Sequence, residues 1–128
     1  EWQFIDVPAD GFKVLSVGAT DFEGKRAKFS SIGPTPDGRI KPEVVAPGKG
    51  VTVASTYSMK VNRGNGTSFS SPLVAGLIAC LWQAFPEKTN QEIIDAVLES
   101  STQFGMPDNE LGYGTPNFFE AYQLLMMR

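Results

Sequence analysis

Gly66-Thr67-Ser68-Phe69-Ser70-Ser71-Pro72 sets a serine among small residues, and an almost wholly apolar run follows it to Phe85. A serine hydroxyl attacks a carbonyl only if one group takes its proton and another receives the negative charge that develops. The second need is met by position. Gly66 lets the backbone turn sharply and approach a ligand closely. A serine that opens a helix lies among amides without intrahelical acceptors, at the positive end of the helix dipole. The first need is not met, because the chain has no histidine. No Ser-x-x-Lys occurs, and nothing in the sequence places Lys49, Lys60 or another lysine beside Ser68. Taken alone, Gly-Thr-Ser also reads as a turn or a helix cap. Acyl-transfer chemistry at Ser68 therefore requires a base from outside this sequence.

The elements that must position Ser68 follow from local pattern. Phe69, Leu73, Val74, Leu77, Ile78, Leu81, Trp82 and Phe85 place apolar side chains on nearly every side of a helix over Thr67–Phe85. Such a helix belongs in a buried centre. Pro72 lacks an N–H and so leaves the Ser68 carbonyl unbonded in its first turns. Cys80, inside this run, reads as a small buried hydrophobe. Upstream, Lys13–Thr20, Glu43–Ala46 and Val51–Thr56 read as strands, with Tyr57–Gly64 as a hairpin arm. Asp21–Gly24 is a turn that returns through Ala27–Ser30, and Gly33–Gly38 is a loop. Downstream, Thr89-Asn90-Gln91-Glu92 is a capping box opening a helix to about Ser101. Thr115 is the expected cap of a last helix, with Pro116 in its first position. Phe118, Phe119, Tyr122, Leu125 and Met126 form the stripe it is expected to bury. Glu1–Gly11 reads as a loop in which Trp2, Phe4 and Ile5 offer apolar surface.

Composition narrows the classes. The chain has 128 residues, 41% hydrophobic and 20% charged, which suits one small globular domain with a modest core. A net charge of −3 supplies no basic footprint for nucleic acid. No signal-peptide pattern opens the chain and no apolar run is long enough to span a membrane. A single cysteine excludes an internal disulfide, and no Cys/His cluster could ligate zinc. Asp6 with Asp10, and Glu92 with Asp95, read as solvated charges, so no metal site is expected. The chain opens on Glu1 and not on Met, which leads us to expect a piece of a longer protein.

Gly66 to Gly76 resembles the nucleophile segment of the subtilisin-like serine proteases. Lys41-Pro42-Glu43-Val44-Val45-Ala46-Pro47-Gly48 is similar to that family's Lys-Pro-Asp-Val-Val-Ala-Pro-Gly stretch. Val14–Thr20, Phe29–Gly33 and Leu111–Gly114 fall in the family's order as well, so the likeness runs from about Phe12 to about Leu124. Leu73 stands where the family commonly has histidine after the proline, a position outside the triad.

The resemblance implies an α/β fold: part of a subtilisin-like sheet with parallel strands, a long buried helix after the nucleophile loop, and two further helices. Residues 1–128 would form the C-terminal part of a peptidase domain, with the aspartate and histidine segments upstream. It implies a serine endopeptidase acting on polypeptides, with Ser68 as nucleophile and Asn65, Gly66 and Thr67 as the oxyanion and substrate loop. For Asn65 two readings stand side by side, substrate contact and simple bracing of a turn. Family members often bind calcium, yet no complete site maps onto these residues. A secreted or cell-envelope location is implied by the family alone. Two other readings remain: a non-catalytic fragment that self-associates into homo-oligomers through exposed apolar surface, and a pseudoprotease whose upstream residues have been replaced.

Overall fold

Two short parallel strands, β1 (Val17–Thr20) and β2 (Val44–Pro47), form the layer against which the helix that begins at Thr67 lies. The computed structural model describes residues 4–128, so Trp2 lies outside the described residues. The register pairs Val17 with Val44, Ala19 with Ala46 and Thr20 with Pro47. β1 starts four residues later than the pattern Lys13–Thr20 suggests. The reason is that side chains take the backbone groups a ladder would need. Lys41 Nζ donates to the Val14 carbonyl at 2.7 Å, and the Ser16 amide donates to Glu43 Oε2 at 2.7 Å. The far edge of β2 is closed by the Gly112–Gly114 segment, where Tyr113 N–H donates to the Glu43 carbonyl at 2.7 Å and Val45 N–H to the Gly114 carbonyl at 3.0 Å.

An antiparallel hairpin of β3 (Lys49–Ala54) and β4 (Val61–Asn65) leads into the turn at Gly66, with a bulge between Lys49 and Val51. Helix α1 (Thr67–Ala84) follows, then α2 (Asn90–Glu99) and α3 (Phe118–Met126). The α2 capping box is formed as expected, with the Thr89 side chain and Glu92 satisfying each other's amides. α2 stops at Glu99 because Ser100 and Ser101 both turn their hydroxyls onto the Val97 carbonyl, at 3.0 and 2.8 Å. The cap of α3 is Asn117 and not Thr115. Residues 115–117 are held extended along 100–102: Pro116 bridges Ser101, and Asn117 N–H donates to the Ser100 carbonyl at 3.2 Å. The helix therefore begins only after Asn117, whose side chain accepts from Glu120 N–H at 3.2 Å.

Two apolar clusters make the core. Leu81, Ile93, Ala96, Val97, Ala121 and Leu125 join the three helices, and Val44, Ala46 and Val74 join α1 to β2. Ile78 and Phe118 touch both, so the core is continuous.

The expectation of a helix buried on all sides is corrected here. Within this chain α1 buries only Ser70, Val74 and Leu81, while Leu73, Leu77 and Trp82 are 44%, 48% and 41% exposed. Cys80 is exposed too, against the expectation of a buried thiol. The apolar residues that ring α1 exceed what two strands and two helices can cover. Along α3, Ala121 and Leu125 are buried, whereas Phe119, Tyr122 and Met126 of the expected stripe are exposed. Phe4 is likewise exposed and bridges Ile32.

Candidate active site

Three hydrogen bonds brace the Asn65–Ser68 loop against the strands. Gly48 N–H donates to the Thr20 carbonyl at 2.9 Å, and the Gly48 carbonyl accepts from Gly66 N–H at 2.8 Å. Asn65 Oδ1 accepts from Gly50 N–H at 2.8 Å across the hairpin, the kind of contact the bracing reading describes. Gly66 then turns with φ 153° and ψ 150°, a region open in practice to glycine alone. This turn ends the hairpin and starts α1 within one residue.

Thr67 and Ser68 are the first two residues of α1. Ser68 is exposed and Thr67 half-buried. Phe69 N–H is taken by the Gly66 carbonyl at 3.1 Å. The N-cap contributes no side-chain hydrogen bond and the first turn holds no acidic residue. Most helices satisfy these amides with a Ser, Thr, Asp or Asn cap worth about 1 kcal/mol. Here the amides of Thr67 and Ser68 remain directed at the space before the helix, where the dipole also favours an anion. An oxyanion is the chemical species that such an arrangement receives.

That space is a cleft of about 540 Å³. Thr67, Ser68 and Ser71 line it from α1, and Ser16, Val17 and Gly18 from β1 and its approach. Asp6 is the single ionisable side chain of the lining among the described residues. Its Oδ1 accepts from Val7 N–H at 2.7 Å, so it is engaged in its own turn. No lysine lines the cleft, which removes a Ser-Lys pair from consideration among the described residues. No hydrogen bond to Ser68 Oγ occurs among them. The geometry thus offers a presented hydroxyl and an anion-receiving helix start, while the base is not supplied by these residues.

Behind the site, Lys41 crosses under the cleft wall. Its side chain is 1% exposed, pairs with the Glu43 carboxylate, and donates to the Gly11 and Val14 carbonyls at 3.2 and 2.7 Å. Glu43 Oε2 also accepts from Ser16 Oγ at 2.7 Å. Val14, Leu15, Ser16 and Pro42 all line the cleft, so this buried pair fixes one of its walls. The Lys-Pro-Glu stretch is visible in sequence, but its clasp role depends on a contact with residues about thirty positions earlier. Gly48 was likewise readable only as a strand end. Among the described residues, no group of three or more His, Cys, Asp or Glu side chains is placed to hold a metal ion. No helix of the described residues is long and apolar enough to cross a membrane.

Comparison with known proteins agrees with this geometry. The profile of the subtilase family matches residues 3–114. The chain is 33% identical over 92% of its length to subtilisin-like protease SBT6.1 of Arabidopsis thaliana, and 34% identical over 89% to bacillopeptidase F of Bacillus subtilis. It spans only 12% and 8% of those relatives. Among solved structures, it superposes on the CspB protease of Clostridium perfringens with a TM-score of 0.82 and 29% identity, covering 95% of this chain and 29% of that one. MycP1 from Mycobacterium smegmatis gives 0.77 and 30%, covering 92% of this chain and 32% of its own. The α/β architecture is the same in each. On a match that spans most of its length, the chain belongs to the subtilase family.

Proposed function

We propose that this chain is the nucleophile-bearing part of a serine endopeptidase, completed by a histidine and an aspartate upstream of Glu1. The single observation that carries the reading is an exposed Ser68 at an uncapped helix start, facing a cleft. In the completed site the histidine takes the Ser68 Oγ proton as the oxygen attacks the scissile carbonyl. The Ser68 N–H donates to the oxyanion, with Thr67 beside it. The proton then passes to the leaving amine, and water releases the acyl group by the same steps in reverse order. Asn65 and Gly66 border the substrate's path. A secreted or cell-envelope location accompanies this reading through the family.

A fluorophosphonate probe tests it, with Ser68→Ala as control. The expected result is no labelling of residues 1–128 alone and labelling at Ser68 once the upstream sequence is joined. A folded longer protein that resists labelling would make it a pseudoprotease.

The exposed α1 face favours a second property of the isolated chain. Leu73 and Leu77, one turn apart on α1, are exposed apolar side chains, and exposed apolar surface of this kind favours association. Alone, the chain self-associates. Light scattering at low micromolar concentration should report a dimer or larger, and a clean monomer refutes it.

A further inference from the structure

A second cavity, of about 340 Å³, is lined by Lys25, Arg26, Lys28 and Lys49 together with Asp21 and Phe29. Its charge runs against that of the chain, four cations to one carboxylate in a protein of net charge −3. Arg26 is already engaged. It pairs with Glu110 at 3.2 Å and donates to the Ser30 carbonyl at 2.9 Å. Asp21 Oδ1 accepts from Lys25 N–H at 2.9 Å and so closes its own turn. Lys25, Lys28 and Lys49 are exposed and enter no salt bridge among the described residues. Gathered lysines repel one another, and a carboxylate arriving among them gains from all of them at once. Phe29, also exposed, supplies an apolar surface for the carbon stem of such a group.

The cavity is mechanically part of the nucleophile loop. Asn65 lines it, Lys49 stands opposite Asn65 in the hairpin register, and the neighbouring Gly48 carbonyl accepts from Gly66 N–H at 2.8 Å. Asn65 and Ser68 are separated by three Cα steps, so at most about 11 Å at 3.8 Å each. An extended polypeptide advances about 3.3 Å per residue.

We propose that Lys25, Lys28 and Lys49 select polypeptides that carry an acidic side chain within about four residues of the cleaved bond. This rests on Ser68 being the nucleophile, and names the substrate class of that site. The acidic carboxylate lies among the three ammonium groups, and its methylene stem lies on Phe29.

The test uses the longer protein that contains the upstream segment. Quenched-fluorescent peptides carry Glu, Gln or Lys in turn at each of the four positions on either side of the bond. At about 50 mM salt, one position should favour Glu by about three- to tenfold in kcat/KM, as expected for one or two exposed ion pairs. That ratio should fall toward one at about 1 M salt, where screening acts within about 3 Å. Joint replacement Lys25→Glu, Lys28→Glu and Lys49→Glu should invert it, so that Lys replaces Glu as the preferred residue. A ratio of one at every position in low salt overturns the proposal, as does a preference that the charge reversal leaves unchanged. Should the reversed variant fail to fold, the salt dependence of the unaltered protein decides. Fluorophosphonate labelling separates the two readings. If Ser68 is not labelled, anisotropy with a fluorescein-tagged Glu peptide pool and its Gln counterpart still decides: tighter, salt-sensitive binding of the Glu pool supports the cavity's role, and equal affinity refutes it.

Discussion

Gly48→Ala is the substitution that should separate positioning from stability. Gly48 holds the sheet to the Gly66 turn through both of its backbone groups. A β-carbon there would meet Ala19 Cβ at 2.7 Å and the Gly66 carbonyl oxygen at 2.8 Å, besides the hydroxyl of Ser70. Carbon atoms rest about 3.5 Å or more apart, so relief of the Ala19 contact alone needs a shift of about 0.8 Å. Ala19 cannot recede, because it is fully buried and registered against Ala46. The compliant side is the turn at Gly66, and Ser68 moves with it. Overpacking of this kind costs about 1–3 kcal/mol. A displacement near 1 Å at the reacting atom costs about a hundredfold in rate.

The assay is the second-order rate of fluorophosphonate labelling in the longer protein, beside its urea midpoint. Gly105→Ala is the control, since nothing lies within 4 Å of its added carbon. Gly48→Ala should slow labelling about a hundredfold in protein that remains folded. Ser70 Oγ is buried without a hydrogen-bond partner among the described residues, so Ser70→Ala should be neutral or stabilising, by up to about 1 kcal/mol. Combined with Gly48→Ala it should recover only part of the labelling rate, because the Ala19 and Gly66 contacts persist. Labelling within twofold of the parent in folded Gly48→Ala would refute the claim that Gly48 sets the position of Ser68.

Further outcomes follow from the same contacts. Lys41→Met leaves a largely buried Glu43 without its cation and two carbonyls without a donor, and should cost about 3–5 kcal/mol in urea unfolding. Adding Glu43→Gln should return part of that loss, and a single-variant cost under about 1 kcal/mol would place the pair in the surface class. The Thr89 amide, and then its hydroxyl, hold the Glu92 carboxyl below the ordinary value of 4.5. A lowered acid stabilises the fold fully above its ordinary value and loses that contribution as pH falls through the folded one. The first turn of α2 should therefore fray only below the ordinary glutamate range, read by NMR titration of Glu92, and a midpoint at or above 4.5 refutes it. Cys80, exposed on the uncovered face of α1, should react with maleimide in dilute isolated chain and become protected once the upstream sequence is joined. Equal reactivity in both would show that nothing upstream covers that face.

What the sequence made legible was local. The Gly66 turn, the capping box at Thr89 and the apolar core of β2 are each specified by residues within a few positions of one another, and each forms where expected. The cap of α3 was not legible, because Thr115 and Asn117 are both competent caps. Hydrogen bonds from 100–102 decide between them. The burial of α1 was misjudged for a related reason. Periodicity reports which faces are apolar, whereas coverage depends on what else packs there, and this chain spans only 29% of the structure it superposes on with a TM-score of 0.82. The same division separates the chemistry of the site from its selectivity. A serine presented at a helix start is written in consecutive residues, Gly66 to Ser68. The cationic cavity draws Lys25 and Lys28 from two successive turns after β1 and Lys49 from a strand, where the hairpin register sets Lys49 opposite Asn65. Single-sequence reading finds such a cavity only after the fold has assembled it, which is why a net charge of −3 gave no hint of a cation-lined wall at Asn65.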